Sequence, residues 1–228
     1  IRFPEKGSMV IHPVRMKGNG TIQGFFSMEF LLFQAYTFTR GVWMANGANL
    51  LFKAHDFIAM EAFRTDNSVA SGDDMFLLNE MRKQKLIVRK NPDYRLVSDT
   101  MAPRTLFEGL NQRIRWVGKM IHLTNNVPMM ISMLFSALIC IVWVGAITYL
   151  LADLSSFNTG LCLAVAAPFV IIWFILLRTG LRYNSLLLSV KGLLFLPFYP
   201  LYLVVMPILA LSIRPEWKGR KLDLQKKK

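Results

Sequence analysis

The segment Val127–Ala152 contains 26 consecutive residues without a charged side chain. A helix of about 20 apolar residues is long enough to cross the roughly 30 Å hydrocarbon layer of a membrane. Two further uncharged apolar runs follow, at residues 161–177 and 192–213. A succession of such runs is improbable for the core of a soluble domain. The pattern predicts a transmembrane region of about three hydrophobic segments over residues 127–213, preceded by a more polar domain over residues 1–126.

The charges beside these segments predict an orientation, because Lys and Arg accumulate in short loops on the cytoplasmic side. Basic residues precede the first apolar run and follow the second, whereas residues 153–160 contain Asp153 and neither Lys nor Arg. We therefore expect an integral membrane protein, with residues 1–126 on the cytoplasmic face of a membrane such as the bacterial inner membrane.

The last apolar run contains Pro197, Pro200 and Pro207. Proline removes a backbone donor and breaks helices. A full third crossing would place the basic tail, residues 214–228, outside the cell, against the charge rule. We expect a broken, re-entrant segment that leaves this tail in the cytoplasm.

The net charge of +13 is distributed as +6 over residues 1–126, +2 over residues 127–213 and +5 over residues 214–228. Much of it flanks apolar segments, where basic side chains also meet anionic lipid headgroups. The chain lacks a nucleic-acid motif or a basic patch interleaved with aromatic residues, so we expect membrane lipids and no nucleic acid as partners. The two cysteines lie in apolar runs and the three histidines lack metal-ligand spacing, so no metal site is predicted within this chain.

The polar region alternates strand-like and helical patterns, which predicts an α/β fold. Strands are expected at residues 9–16, 42–45, 50–53, 86–88 and 94–97, with Pro13 indicating an edge strand. Helices are expected at residues 22–39, 56–63, 74–85 and 103–123. The first of these helices is rich in Phe and Leu, and either belongs to the core or lies on the bilayer surface.

An acidic pair occurs in the sequence Ser71-Gly72-Asp73-Asp74, at the start of a predicted helix. Acidic side chains at this position stabilise a helix N-terminus. They are equally suited to act as a general base. The local sequence leaves both interpretations open.

A second polar cluster lies on the last helix before the membrane, in Gln112-Arg113-Ile114-Arg115-Trp116. Gln112, Arg115 and Trp116 are spaced i, i+3 and i+4, so they share one helix face. An amide, a guanidinium and an indole together suit a sugar phosphate, because Arg binds phosphate oxygens and the indole stacks on a pyranose. The alternative is a helix anchored at the membrane interface by Trp and basic residues.

These motifs resemble, in order and spacing, the later part of membrane-bound family 2 glycosyltransferases, the group that contains cellulose, chitin and hyaluronan synthases. The resemblance covers nearly the whole chain. It includes the helix at residues 18–33, the loop Asn46-Gly47-Ala48-Asn49-Leu50, the acidic pair, the Gln-x-x-Arg-Trp helix, the apolar segments and Trp217-Lys218-Gly219-Arg220.

The resemblance implies a partial GT-A domain, which is Rossmann-like, followed by the transmembrane region. It implies an inverting transfer of a sugar from a nucleotide-diphosphate sugar to a lipid or glycan acceptor. Asp73 matches the catalytic base, and Asp74 is either its supporting neighbour or the base itself. The implied donor-diphosphate contacts are Gln112, Arg113 and Arg115, and the implied acceptor contacts are Trp116, Asn46, Gly47 and Ala48.

The chain departs from the family in lacking an Asp-x-Asp motif and a Gly-rich phosphate loop. The family implies Mg²⁺ or Mn²⁺ as cofactor, with ligands that this chain does not contain. Since the chain begins at Ile1 within a strand-like run, we expect an incomplete portion of a longer enzyme, inactive when isolated. Three hydrophobic segments provide little helix from which to build a translocation channel. Self-assembly into a homo-oligomer would supply such a channel.

A non-catalytic membrane subunit of a polysaccharide synthesis or export assembly is the main alternative. A small transporter fits less well, because the apolar runs lack paired ionisable residues.

Overall fold

A computed structural model describes residues 8–39, 45–59, 73–122, 127–152, 159–213, 216–217 and 220–221. Within these residues the protein is mixed α/β and mostly helical. The helices are α1 (Thr21–Thr39), α2 (Ala54–Ala59), α3 (Asp73–Lys83), α4 (Leu106–His122), α5 (Val127–Ala152), α6 (Thr159–Arg182), α7 (Leu186–Gly192) and α8 (Tyr199–Ser212). The strands are β1 (Ser8–Ile11), β2 (Val14–Lys17), β3 (Leu50–Phe52), β4 (Ile87–Lys90), β5 (Ser98–Met101), β6 (Glu216–Trp217) and β7 (Arg220–Lys221).

The strands of the polar region form two small sheets. In the first, β1 lies between β3, with which it is antiparallel, and β4, with which it is parallel. In the second, β2 pairs in parallel with β5. The prediction of one edge strand over residues 9–16 is wrong, because the chain passes from one sheet to the other at His12 and Pro13. Pro13 has no N–H for a strand pair, and its carbonyl accepts hydrogen bonds from Asn49 Nδ2 at 2.8 Å and from Ser98 N at 3.2 Å.

The predicted strand at residues 94–97 is also wrong. Residues Tyr94–Leu96 form a short 3-10 helix, and β5 begins only at Ser98. The cause is local, since the Asp93 carboxylate accepts a hydrogen bond from the backbone N–H of Arg95 at 3.0 Å. Such side-chain bonds to nearby backbone compete with strand pairing. The helices predicted at residues 22–39, 56–63, 74–85 and 103–123 correspond to α1, α2, α3 and α4, but α3 ends at Lys83 and α4 begins only at Leu106. Residues 42–44, 60–63 and 123 lie outside the described residues.

Helix α1 joins the polar region to the apolar region. Its buried aromatic side chains belong to one hydrophobic cluster that also contains residues of β2, α6 and α8. The members of this first cluster include Val14, Met16, Phe25, Phe26, Met28, Phe30, Leu31, Leu176, Tyr183 and Tyr199. Of the two expectations for residues 22–39, the core helix is therefore confirmed. A second cluster lies beneath α3 and contains Met9, Ile11, Ala45, Leu77, Leu78 and Met81.

The contact between α1 and α7 is made by small residues. The backbones of Gly24 and Gly192 approach so closely that a Cβ on Gly24 would lie 2.6 Å from the Leu188 carbonyl oxygen, and one on Gly192 would lie 2.4 Å from the Gly24 carbonyl oxygen. Ser27 Oγ lies 3.2 Å from Ser189 Oγ in the same interface. Small side chains allow helices to pack at short range, as they do within membranes.

Among the residues that the structure describes, two helical stretches have the length and apolar composition needed to cross a membrane, Val165–Arg182 and Leu186–Ser212, compared with the three segments predicted. The second is interrupted by a 3-10 segment at Leu193–Phe198, which contains Pro197. The last apolar run thus changes from α-helix to 3-10 helix within one helical stretch, and its re-entrant course stays a prediction. In α5, the shorter stretch Met133–Ala146 is apolar. Both α5 and α6 leave large apolar side chains exposed, among them Leu134, Phe135, Ile141, Val170, Ile171 and Phe174.

Candidate functional site

The acidic pair and the predicted acceptor loop lie together. Asp74 is half-buried in the first turn of α3, and its Oδ2 accepts a hydrogen bond from the backbone N–H of Gly47 at 3.0 Å. Its Oδ1 accepts from the N–H of Met75 at 2.9 Å. Asp73 is the first residue of α3, but its side chain, like Ser71 and Gly72, lies outside the described residues.

The predicted acceptor loop contains a single turn of 3-10 helix at Gly47–Asn49. Asn46 precedes it, and its Oδ1 accepts from the N–H of Ala48 at 3.0 Å. Asn49 Nδ2 donates to the carbonyl of Leu96 at 2.7 Å, in addition to its bond with Pro13. Gly47 and Ala48 are exposed. The loop is therefore held at its ends by side-chain bonds, and its small central residues face solvent.

The Gln-x-x-Arg-Trp motif lies on α4, as predicted, but its two arginines differ in environment. Arg113 is 2% exposed. Its Nε donates to Glu29 Oε2 at 2.7 Å, and its Nη1 donates to Gln112 Oε1. Its guanidinium carbon lies 4.6 Å from the centre of the Trp116 ring. In this structure Arg113 is fully engaged by neighbours and is not open to a donor diphosphate.

Arg115 is half-buried, and its buried Nε has no hydrogen-bond partner within the described part of the chain. Burial also lowers the pKa of its guanidinium. Arginine nevertheless stays charged in proteins. A desolvated cation that lacks an acidic neighbour favours an anionic ligand. Of the three predicted diphosphate contacts, Arg115 is the one whose surroundings fit that role.

Trp116 is half-buried against the first hydrophobic cluster, where its ring centre lies 6.3 Å from that of Phe30. Phe30 and Asn46 both line a small cleft that encloses about 10 Å³, room for roughly one water molecule. His12 lines the same cleft, and burial lowers its pKa although Asp93 partly offsets this effect. Phe30 therefore contacts the Trp116 ring and lines a cleft together with Asn46.

Two members of this arrangement were missed from the sequence, Glu29 and Tyr202. Tyr202 in α8 donates its hydroxyl to Glu29 Oε1 at 2.9 Å. A signal for Glu29 existed, because it is the only charged residue in α1, which is otherwise uncharged and rich in Phe and Leu. An isolated acid on a buried helix requires a partner. The tyrosine carries no comparable signal.

The described residues contain no group of three or more His, Cys, Asp or Glu side chains able to hold a metal ion. These residues therefore do not fit a Mg²⁺ or Mn²⁺ site.

Comparison with protein-family models, with curated proteins and with solved structures finds no match for this chain. The residues of the chain and their geometry are therefore the basis for a functional proposal.

Proposed function

We propose that the protein is an inverting glycosyltransferase of the membrane-bound family 2 type, which moves a sugar from a nucleotide-diphosphate sugar to a lipid or glycan acceptor. The observation that carries this proposal is the hydrogen bond between the Gly47 amide and the Asp74 carboxylate. It joins the acidic pair to a loop of small, exposed residues, which suits an acceptor hydroxyl approaching a general base.

In this proposal Asp74 is the general base. The resemblance matches Asp73 to that role, and the observation that supports Asp74 is its hydrogen bond to the Gly47 amide at the predicted acceptor loop. It accepts the proton of the acceptor hydroxyl as that oxygen attacks the anomeric carbon, and the nucleoside diphosphate leaves from the opposite face. A positioned carboxylate contributes about 10²- to 10⁴-fold to such a step.

Arg115 stabilises the negative charge of the leaving diphosphate in this proposal. Its unpartnered Nε and the absence of a described acidic neighbour support the assignment. Preorganised cations at the point where charge develops stabilise a transition state strongly. Gln112 and Trp116 flank it on α4, as polar contact and sugar platform. Arg113, in contrast, contacts Gln112 and Trp116 and does not bind the donor.

We assign residues 1–126 to a partial GT-A domain. The parallel pairing of β1 with β4 and of β2 with β5 supports this assignment. The cofactor that this family uses would be Mg²⁺ or Mn²⁺, and the described residues contain no cluster of ligands for it.

We further propose that the protein is integral to a membrane, with the polar region in the cytoplasm. The two stretches of sufficient length and the exposed apolar side chains of α5 and α6 support membrane insertion. The basic flanks of residues 113–119 and 178–191 support the cytoplasmic orientation.

The test is transfer of labelled sugar from a panel of nucleotide-diphosphate sugars by membranes that contain the full-length enzyme. Asp74→Asn is expected to lose transfer by at least about 100-fold, with donor binding unchanged. Glu80→Gln, which removes a charge from the same helix, is the matched control and should retain activity. Parental transfer by Asp74→Asn would exclude this carboxylate as the base, and loss in Asp73→Asn alone would move the role to its neighbour.

A non-catalytic membrane subunit is the second candidate. It is favoured by the absence of Asp-x-Asp from the sequence and by the capping of both Asp74 oxygens with backbone N–H groups. Failure of the full-length protein to bind any donor of the panel would support this role and overturn glycosyl transfer.

A further inference from the structure

Two buried charged side chains and one half-buried tyrosine meet where α1, α4 and α8 come together. Glu29, on α1, accepts hydrogen bonds with both carboxylate oxygens, from Arg113 Nε at 2.7 Å and from the Tyr202 hydroxyl at 2.9 Å. The side chains of Glu29 and Arg113 are each 3% exposed. The polar region contributes two of the three residues, and the last apolar segment contributes the third.

Arg113 extends this network to the candidate site. Its Nη1 donates to Gln112 Oε1, and its guanidinium lies between two aromatic rings, 4.4 Å from the centre of Phe26 and 4.6 Å from that of Trp116. One rigid guanidinium therefore orients the amide of Gln112 and the indole of Trp116 at the same time. Lysine has no planar fork and would not reproduce this geometry.

Stability alone does not account for the network. Replacing a buried ion pair by apolar residues of similar volume is often neutral or stabilising, because desolvation of the charges offsets their attraction. The surroundings are already apolar, since Phe25 and Tyr199 pack against the Tyr202 ring. What an apolar replacement would lack is the directed set of hydrogen bonds that links α8 to Gln112.

We propose that Arg113 is a positioning residue, held by Glu29 and Tyr202, through which α8 fixes the orientation of Gln112 and Trp116. Tyr202 is the contact from the apolar segment that keeps the α4 site in place. The network thus couples the packing of the last hydrophobic segment to the site on α4. The kinetic consequence rests on the proposed glycosyl transfer, whereas the orientation of the indole does not.

The test compares Tyr202→Phe with Tyr199→Phe in the full-length protein in lipid nanodiscs. Both residues are aromatic, lie on α8 and stack on one another, but of the two described hydroxyls only that of Tyr202 bonds to Glu29. In a form that keeps Trp116 as its only tryptophan, Tyr202→Phe should shift the indole emission to longer wavelength and raise its acrylamide quenching constant. Tyr199→Phe should leave both at the parental values.

Arg113→Lys separates positioning from a simple need for charge. It keeps a cation beside Glu29 but loses the bond to Gln112 and the contact with both rings. The proposal predicts that this variant shifts Trp116 emission as Tyr202→Phe does; parental emission in both variants would overturn it. Removal of the other tryptophans could prevent folding. In that case the indole ¹⁵N–¹H resonance of Trp116 in the protein with all its tryptophans reports the same change in environment. The resonance is assigned by its loss in Trp116→Phe.

Transfer kinetics provide the second measurement. Tyr202→Phe should lower kcat about tenfold, equivalent to about 1.4 kcal/mol, and leave donor KM unchanged. An emission shift in a protein whose parent shows no transfer would support the positioning role and count against the proposed function. Parental emission in the variants of a protein that does transfer sugar would overturn the positioning role and leave the proposed function standing. The failure of one proposal can therefore be told apart from the failure of the other.

Discussion

Asp74 and Arg113, two charged residues predicted for the same site, lie in opposite environments. The Asp74 carboxylate is half-exposed, and backbone N–H groups are its described partners. Arg113 is buried among an acid, an amide and two aromatic rings. The comparison teaches that charged residues predicted for one site divide into residues open to solvent and residues that hold their neighbours in place. Burial and partners distinguish the two kinds, and the sequence does not.

The largest expected effect on stability separates the two arginines of α4. Arg113→Ala should lower the free energy of unfolding by about 3–5 kcal/mol, because it leaves Glu29 as an uncompensated buried charge. Arg115→Ala, the matched control, should change it by less than about 1 kcal/mol, since no described acid loses a partner. Denaturant titration in mild detergent measures both. Equal losses in the two variants would contradict the distinction drawn here.

The double variant Glu29→Leu/Arg113→Met sharpens the same comparison. It removes both charges of the pair, so it should be markedly more stable than Arg113→Ala. Its transfer activity should nevertheless remain low, because Gln112 and Trp116 have lost the group that orients them.

An intermediate effect is expected at the contact of α1 with α7. Gly24→Ala places a methyl group against backbone atoms of the facing helix, and overpacking of this kind costs about 1–3 kcal/mol. Gly145→Ala is the control, because a Cβ at that position in α5 meets no atom within 4 Å. It should be neutral or slightly stabilising. Thermal unfolding in detergent provides the readout, and an equal shift in both variants would count against close backbone packing.

The smallest effect concerns the second sheet. Hydrogen bonds from Arg15 and then Lys17 lower the pKa of Asp99 to about 2. A carboxyl with a depressed pKa in the folded state stabilises the protein above its ordinary pKa near 4, and this contribution is lost as pH falls from about 4 to 2. Asp99→Asn should cost about 1 kcal/mol or less at pH 7, because the pair is partly exposed. Parent and variant should converge near pH 2; a constant difference would exclude this ion pair as the cause.

The helices were predictable from the sequence because their patterns are strong. The uncharged run Val127–Ala152 coincides with α5, and the Phe-rich run at residues 22–39 falls within α1. The spacing of Gln112, Arg115 and Trp116 placed these residues on α4, where the structure has them. Periodicity and apolar composition depend only on nearby residues, so helices defined by them can be identified from the sequence alone.

The sheets and the buried network required tertiary information. The chain changes sheet within two residues at His12 and Pro13, and alternation across residues 9–16 does not reveal which partner each half selects. Glu29 is conspicuous as a lone acid, but its partners are 84 and 173 residues away along the chain. The sequence does not distinguish the two arginines of α4. Their difference in burial and in hydrogen bonding arises from tertiary packing.

The close backbone approach of Gly24 and Gly192 has a consequence for any attempt to prepare the polar region separately. Truncation after residue 126 would strip α7 from α1 and uncover the aromatic face that the apolar region now shields. Such a fragment would expose a large hydrophobic surface to water, and we expect it to aggregate. The polar and apolar parts of this protein are therefore better regarded as one cooperative folding unit.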